Sequence, residues 1–297
     1  MTCCGPALPE TDLAWPDRRQ AARDLTAPDL IVIPARFGSK RLPGKPLVPI
    51  AGRPLLERVI EIARHAAAQA SHAEVVVATD DQRIAELALT LGCNAILTSS
   101  EISSGSGRAC AAALSRPSRP EIVVNLQGDA PFIPPSMIVD LIEAARSTSA
   151  AVVTPVVRLS WEALDRLREH KKKAPFSGTT CIRASDGQAL WFSKSILPAI
   201  REEAELRREG RLSPVYGHLG LYAYRLDALE QFEQTPPSPY EQLEGLEQLR
   251  FLEMGLSIQA IEVDPPAHSM SGIDTPEDVA LAEALISRLG DPHLSWA

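Results

Sequence analysis

The chain has 297 residues, of which 45% are hydrophobic and 23% charged, which is ordinary for a globular protein of one large or two small domains. Its formal net charge of -8 argues against broad nucleic-acid binding, and no apolar run is long enough to cross a membrane. Residues 1–27 are rich in proline and charge and lack the pattern of a signal peptide. We therefore expect a loosely ordered extension over 1–27, followed by a single α/β domain over 28–297.

The cysteines bear on the compartment of the protein. There are 5 of them, an odd number, scattered along the chain without the spacing of a metal site. Such usage indicates reduced thiols and hence a cytoplasmic protein.

The first predicted strand, residues 30–33, is apolar throughout and reads as buried. Pro34 has no N–H to donate, so we expect the strand to end there. Four cations then fall within ten residues, interleaved with small residues: Arg36, Lys40, Arg41 and Lys45 among Gly38, Ser39 and Gly44. Small residues let backbone N–H groups approach an anion, and Arg and Lys add charge-assisted bonds to phosphate oxygens. With a helix predicted from residue 54, this favours a polyphosphate cradle over a solvated basic loop.

Further strands follow in alternation with helices. Strands are predicted at 74–78, 94–97 and 121–126, and helices at 54–70, 82–91 and, after a small-residue turn at 103–108, up to 114. This alternation predicts a Rossmann-like, mostly parallel sheet with helices on both faces. Ligands bind such sheets at the carboxyl ends of the strands, where the basic loop, the 103–108 turn and Gln127-Gly128-Asp129 all fall.

The second half has a mixed pattern. We predict strands at 151–157, 217–224 and 257–263, a hairpin at 179–192, and helices at 160–168, 197–211, 243–254 and 275–288, the second of these being a helix or a lid. These elements are expected to add a small inserted sheet and lid to the main sheet, in a subdomain at about 150–240 for the acceptor and for dimerisation.

Two aspartates stand out as metal ligands. Asp129 follows a buried strand and a glycine, and its carboxylate is well placed to hold Mg²⁺, although a turn or cap aspartate is the alternative. Asp274 precedes Thr-Pro-Glu, and by position alone it would be a helix cap.

Several stretches together resemble one family. PARFGSKRLPGKPL, LQGDAPFIPP and GIDTPEDVALAEALI are similar to motifs of the CMP-Kdo synthetases, the 3-deoxy-manno-octulosonate cytidylyltransferases. DGQALWFSK, GHLGLYAYR and EGLEQLRFLEMGLSI match further segments, so the likeness covers roughly residues 31–286. The resemblance implies a fold of the nucleotide-diphospho-sugar transferase type.

The resemblance also implies an activity. An acceptor oxygen would attack the α-phosphorus of CTP and release pyrophosphate, with Mg²⁺ held by Asp129 and Asp274. The implied nucleotide-binding residues are Pro34, Ala35, Arg36, Gly38, Ser39, Arg41, Lys45, Ser104, Gly105, Arg108 and Gln127, and the implied catalytic residues are Arg36, Lys45, Asp129 and Asp274. The implied contacts to an acidic acceptor are Arg108, Lys194, His218, Glu247 and Gln248, although position alone would make His218 structural. A homodimer is implied as well.

The departures from the family pattern concern the acceptor side. Smaller or less polar residues stand at Ser99, Ile102, Ser106, Gly107, Ala130 and Thr180. Since lost hydrogen-bond partners penalise a sugar with many hydroxyls, a compact acid such as phosphonoformate is an alternative to Kdo, and our hypothesis is that it is the better substrate. Two further hypotheses are a catalytically silent nucleotide-binding homologue and a nucleotidyltransferase that uses another nucleoside triphosphate.

Overall fold

The structure is a computed structural model that describes residues 27–39, 41–268, 270 and 272–295. The extension predicted at 1–27 lies outside the described residues except for Ala27, and so does Lys40 of the basic loop.

The elements alternate in the first half and are mixed in the second. In the first half they are β1 (Asp29–Ala35), β2 (Pro49–Ile50), β3 (Arg53–Pro54), α1 (Leu55–Gln69), β4 (Ala73–Thr79), α2 (Gln82–Thr90), β5 (Asn94–Leu97), α3 (Gly105–Leu114), β6 (Ile122–Asn125) and α4 (Pro135–Ser147). In the second half they are β7 (Val152–Ser160), α5 (Trp161–Lys173), β8 (Thr180–Arg183), β9 (Ala189–Ser193), α6 (Glu203–Glu209), β10 (Leu212–His218), β11 (Tyr222–Arg225), α7 (Leu226–Gln234), α8 (Pro239–Glu244), α9 (Glu247–Glu253), β12 (Ile258–Glu262) and α10 (Pro276–Leu289). Short 3-10 helices cover Lys45–Leu47 and Pro292–Ser295.

Within the described residues, one ten-stranded sheet organises the molecule. β1 pairs in parallel with β4 on one side and with β6 on the other, and β5 continues the parallel part beyond β4. Beyond β6 the order is β11, β7, β10, β8 and β9, with antiparallel pairing, while β12 lies parallel to β7. The predicted α/β class with parallel core strands is confirmed. The inserted strands do not form a sheet of their own, because β11 pairs directly with β6 and extends the main sheet.

Two apolar clusters cover the two faces of this sheet. Along β1, Ile31 and Ile33 face one cluster with α1, α4 and α10, and Leu30 and Val32 face the other with α3, α7 and α9. This alternation follows from the two-residue repeat of a strand. The uninterrupted apolar run of β1 is therefore explained by helices on both sides.

The first strand continues one residue past Pro34. Leu126 N donates to Val32 O at 2.9 Å, so the polar backbone groups of Val32 face β6. The backbone of Pro34, two residues further along, faces the same side. The pairing of β1 with β6 has already ended there, because its last pair is Val32 with Asn125. The missing N–H therefore breaks no ladder bond, which is why the predicted end at Pro34 was wrong.

Other predicted boundaries also differ from the structure. The turn predicted at 103–108 ends at Ser104, which caps α3, so Gly105 already lies in that helix. The strand predicted at 217–224 is two strands, β10 and β11, and the helix predicted at 243–254 is broken by Gly245, whose φ of 64° ends α8. A left-handed residue cannot continue a right-handed helix, and glycine adopts that conformation at little cost.

We expect Gly128→Ala to destabilise the protein. A Cβ at Gly128 would lie 2.6 Å from the carbonyl oxygen of Pro34, so the ends of β1 and β6 would have to separate. The cost should be about 1–3 kcal/mol in the free energy of unfolding, as for other overpacked sites, and urea denaturation measures it. Gly220→Ala is the matched control, because nothing lies within 4 Å of a Cβ there. Equal stabilities of the two variants would contradict this explanation.

Candidate active site

A cavity of about 500 Å³ lies at the carboxyl ends of β1 and β6. Every residue predicted to bind the nucleotide lines it, together with both predicted metal ligands: Pro34, Ala35, Arg36, Gly38, Ser39, Arg41, Lys45, Ser104, Gly105, Arg108, Gln127, Asp129 and Asp274. The lining also includes Pro46, Ser103 and Gly128, which were not among the predicted nucleotide-binding residues.

Parallel topology explains why these segments meet. β1 and β6 are neighbours and end at the same edge, so the loops that follow them face each other. The Asp274 segment joins them through one backbone bond, in which Ile273 N donates to Asp129 O at 2.9 Å. Gly272 permits this contact, since its φ of 137° is a conformation that other residues rarely adopt.

Lys45 lies between the two aspartates. Its Nζ is 2.6 Å from Asp129 Oδ2 and 3.0 Å from Asp274 Oδ1, while Arg41 Nη2 is 3.0 Å from Asp274 Oδ2. Asp274 is not the cap of α10, as its position had indicated. Thr275 is the cap, in a capping box with Asp278, and this leaves the Asp274 carboxylate available for ion pairing.

The two aspartates fit a divalent cation held jointly with a ligand. Among the described residues no group of three or more His, Cys, Asp or Glu side chains could hold a metal ion. The carboxylates of Asp129 and Asp274 nevertheless converge on one ammonium, so the pair already holds a cation. Carboxylate oxygens are the ligands that Mg²⁺ prefers, and Mg²⁺ usually completes its shell with water and phosphate oxygens.

Two of the three cavity arginines, Arg36 and Arg108, differ in their exposure and hydrogen bonding. Arg36 is exposed, and its Nη1 makes a long hydrogen bond to Ser103 O, at 3.4 Å. Arg108 is only 2% exposed, and its Nη2 donates to Asp80 Oδ2 at 3.0 Å and to Ile102 O at 2.9 Å, while Nη1 donates to Thr98 Oγ1. Arg108 thus joins the ends of β4 and β5 to α3, and both of its terminal nitrogens are engaged within the chain.

The other predicted acceptor residues lie outside the cavity lining and form a connected row. Phe192 and His218 meet edge to face at 5.0 Å, and the ring of His218 lies 5.5 Å from that of Tyr222. The hydroxyl of Tyr222 then donates to Gln248 Oε1 at 3.2 Å. Tyr222 was missed by the sequence analysis, since an uncharged residue in an apolar strand gives no local signal of a site.

One end of this row approaches the cavity, because Tyr222 pairs with Asn125 of β6, and Asn125 Oδ1 accepts a hydrogen bond from Gln127 of the cavity lining. Burial raises the pKa values of Glu247 and Glu233 above their usual range, and the charge of Glu247 raises that of Glu233 further. The other end is Lys194, whose Nζ donates to Thr179 Oγ1 at 3.1 Å. Burial lowers the pKa of Lys194. The negative charge of Glu244 raises this pKa, but by less than burial lowers it.

Gln248 carries an unmet hydrogen-bonding group. The residue is 3% exposed, and its Nε2 has no hydrogen-bond partner within the described part of the chain. A buried donor left without an acceptor costs free energy, and such groups are rare in native proteins. The row therefore has a donor that a bound oxygen would satisfy.

His218 is neutral and its tautomer follows from its partner. Burial, together with the nearby Lys194, lowers the pKa of His218 to about 3. Its Nε2 lies 2.9 Å from Thr154 Oγ1, and that hydroxyl donates its only proton to Leu221 O at 2.8 Å. Thr154 Oγ1 must then accept from His218, so Nε2 carries the proton and Nδ1 is an acceptor.

Comparison with known proteins defines the class. The sequence model of the family described as cytidylyltransferase matches residues 30–258. The chain therefore belongs to the cytidylyltransferase family, and the predicted class of enzyme, a nucleotidyltransferase, is confirmed.

Two relatives and one solved structure confirm the resemblance to the CMP-Kdo synthetases. The 3-deoxy-manno-octulosonate cytidylyltransferase of Maricaulis maris is 41% identical over 263 residues, which are 88% of this chain and 98% of the relative. The protein of that name from Nitratidesulfovibrio vulgaris is 39% identical over 254 residues, 84% of this chain and 92% of the relative. The structure of CMP:2-keto-3-deoxy-manno-octonic acid synthetase complexed with CTP matches with a TM-score of 0.74 at 34% identity, over 89% of this chain and 100% of that one.

A more distant match supports the fold alone. A cytidylyltransferase from Leptospira borgpetersenii is 18% identical with a TM-score of 0.55, over 88% of this chain and 87% of that one.

The neutral state of His218 predicts a pH dependence of stability. Its pKa is about 3 in the folded protein and roughly 6.5 in an unfolded chain, so only the unfolded chain takes up a proton between these values. Its contribution to stability is complete above about pH 6.5 and is lost as the pH falls toward 3. His218→Gln should make the free energy of unfolding less steep over this window, by at most about 1.4 kcal/mol per pH unit, as measured by urea denaturation at several pH values. Identical slopes for variant and wild type would show that His218 is not held neutral.

Proposed function

We propose that the chain transfers CMP from CTP to a 3-deoxy sugar acid of the Kdo type and releases pyrophosphate. The observation that carries the proposal is the pairing of a cation-lined cavity with an adjacent row of polar groups. The similarity to the 3-deoxy-manno-octulosonate cytidylyltransferases, and to a synthetase solved with CTP, supports the same assignment.

The cavity suits a triphosphate. Arg36 and Arg41 are solvent-accessible, and Gly38 and Ser39 place backbone groups at the wall between them. Phosphoryl chemistry of this kind needs positioning and charge neutralisation more than a general base. The base of the nucleotide, and the preference for cytosine over other bases, are assigned from the relatives alone.

Asp129 and Asp274 would hold the Mg²⁺, which would neutralise charge on the phosphates and orient them. The ammonium of Lys45 now occupies the position between the two carboxylates. Lys45 must therefore leave the aspartates before they can take up another cation, and the triphosphate oxygens offer it a new partner. Metal and nucleotide binding should consequently reinforce each other.

The acceptor row favours a hydroxyl-rich acid. Its groups are a neutral imidazole, a phenol, an amide with a free N–H and a carboxyl of raised pKa, all of which pair well with hydroxyls. Lys194 supplies one cation for a carboxylate. Arg108, the other cation among the predicted acceptor contacts, is already paired with Asp80. We therefore rank Kdo above phosphonoformate, which remains the second acceptor to test.

The residues that replace the family's polar groups have their own structural explanations. Thr180 accepts from Leu197 N at 3.1 Å and donates to Ser195 O at 2.7 Å, which fixes the turn after β9. At Gly107, a Cβ would lie 2.8 Å from Glu233 Oε2, so a carboxylate from α7 already occupies the space of a side chain there. The departures thus remove less polarity from the site than the sequence indicates.

The remaining expectations concern surroundings and assembly. Among the described residues no helix is both long and apolar enough to cross a membrane. We propose a cytoplasmic location, with which the free, buried thiols of Cys93, Cys110 and Cys181 are consistent. The homodimer implied by the resemblance stays a prediction, which light scattering of the purified protein at micromolar concentration tests.

Lys45→Met should strengthen the binding of Mn²⁺ to the nucleotide-free protein. Without the ammonium, the two carboxylates lose their cation and attract a divalent one, by a factor of about ten or more. Electron paramagnetic resonance of free Mn²⁺ gives the affinity directly. Asp129→Asn and Asp274→Asn are the opposite controls: each should weaken Mn²⁺ binding and abolish turnover while the protein stays folded. An unchanged Mn²⁺ affinity in Lys45→Met would place the metal elsewhere.

Pyrophosphate release with CTP, Mg²⁺ and a panel of acids tests the proposed function. We expect Kdo to give a higher kcat/KM than phosphonoformate. Gln248→Leu should lower the kcat/KM for Kdo by roughly tenfold, because a hydroxyl loses one partner, and should leave the KM for CTP unchanged. Leu243→Ala, at a side chain that is 76% exposed, is the control. Turnover of phosphonoformate with Kdo inert would reverse the assignment, and no turnover with any acid would favour a silent homologue.

A further inference from the structure

We call residues 290–294 the C-terminal clasp. They contact the segments that carry the cavity residues but do not line the cavity themselves. We propose that the clasp, through His293, positions the loop that carries Asp129 and so sets how tightly the site holds its cation. The proposal rests on the proposed function for the identity of the reaction, but the contacts that carry it are independent of the substrate.

His293 is the central residue of the clasp. It is 2% exposed, its Nε2 lies 3.1 Å from Pro131 O, and its Nδ1 lies 2.8 Å from Glu61 Oε2. A carbonyl oxygen only accepts, so Nε2 donates to Pro131, and the carboxylate of Glu61 likewise accepts from Nδ1 when both ring nitrogens carry protons. Pro131 is two residues from Asp129, and the donor therefore fixes the loop directly behind the carboxylate.

The clasp also reaches the segment that carries Lys45. Arg58 of α1 is fully buried, with Nε and Nη2 donating to Ile50 O at 3.0 and 2.9 Å, and Nη1 donating to both carboxylate oxygens of Asp291 at 3.0 Å. Burial raises the pKa of Asp291, but the hydrogen bond from Arg58 and the other contacts lower it below its usual range. A buried guanidinium that lost this partner would be costly, so the link is held firmly.

A third set of contacts joins the clasp to the Asp274 side. α10 begins two residues after Asp274 and is followed by its C-cap residue Gly290, whose carbonyl oxygen lies 2.9 Å from His268 Nε2. The His268 ring in turn stacks on Phe132 at 5.2 Å, in the loop that carries Asp129. All three segments that supply Lys45, Asp129 and Asp274 are thus connected through residues near the C-terminus.

These contacts predict a selective defect. The clasp has no hydrogen bond to Arg36, Gly38 or Ser39 among the bonds of the described residues, so the triphosphate cradle should tolerate its loss. The carboxylate of Asp129, by contrast, would gain freedom relative to Asp274. Groups that orient metal-binding carboxylates typically change metal affinity or activity by about 10–100-fold when removed.

The experiment compares His293→Leu with His293→Gln in the full chain. The glutamine Nε2 can still donate to Pro131 O, whereas leucine has no donor. We expect His293→Leu to weaken Mn²⁺ binding in the presence of CTP and to lower kcat by about 10–100-fold with little change in the KM for CTP, and His293→Gln to stay within about threefold of wild type. Leu294→Ala, at a neighbour that is 77% exposed, is the control.

Hydrogen exchange separates this proposal from the proposed function. The peptide covering residues 128–134 should exchange faster in His293→Leu than in wild type, whether or not any acceptor is turned over. If His293→Leu yields too little folded protein, His293→Asn replaces it, because its shorter amide should not reach Pro131. A folded variant with wild-type Mn²⁺ affinity, kcat and exchange would overturn the proposal, as would equal impairment in the leucine and glutamine variants.

Discussion

The ion triad of Lys45, Asp129 and Asp274 is the constraint on which the cavity depends. The two aspartates lie 84 and 229 residues from Lys45 in the chain, and a carboxylate oxygen of each lies within 3.0 Å of the shared ammonium. Two carboxylates brought this close would repel each other without a cation between them. The ammonium therefore stabilises the meeting of the three loops and, at the same time, occupies the position that the proposed reaction requires for another cation.

In the proposed reaction, this double role would let two carboxylates hold a divalent ion once the nucleotide is bound. Two protein ligands give a weak site, and a resident lysine weakens it further. A bound triphosphate would remove both weaknesses, because it would bring additional oxygen ligands for the ion and a new partner for the lysine. In that proposal the charge of the site would be balanced both before and after the nucleotide binds.

In the acceptor row, burial rather than ion pairing determines the chemistry of the side chains. Burial of His218, Glu247 and Lys194 shifts each pKa toward the neutral form of the group. The neutral imidazole of His218, the phenol of Tyr222 and the amide of Gln248 suit hydroxyl groups, whereas the cation-lined cavity suits phosphates. The neighbouring regions are therefore matched to the two halves of the proposed reaction, and the Tyr222–Gln248 pair lies in the acceptor row.

The sequence by itself determined the parallel core and the lining of the cavity. The Arg36–Lys45 loop and Gln127-Gly128-Asp129 follow predicted strands, and parallel strands bring their carboxyl ends to one edge whatever the details of packing. Only the tertiary structure decided that Arg108 is paired with Asp80, that Gln248 has an unmatched donor, and that His293 contacts the Asp129 loop. It also decided that β11 joins the inserted strands to the main sheet. These features arise from contacts between residues far apart in the chain, and the local pattern of side chains carries no record of which distant partner each polar group will meet.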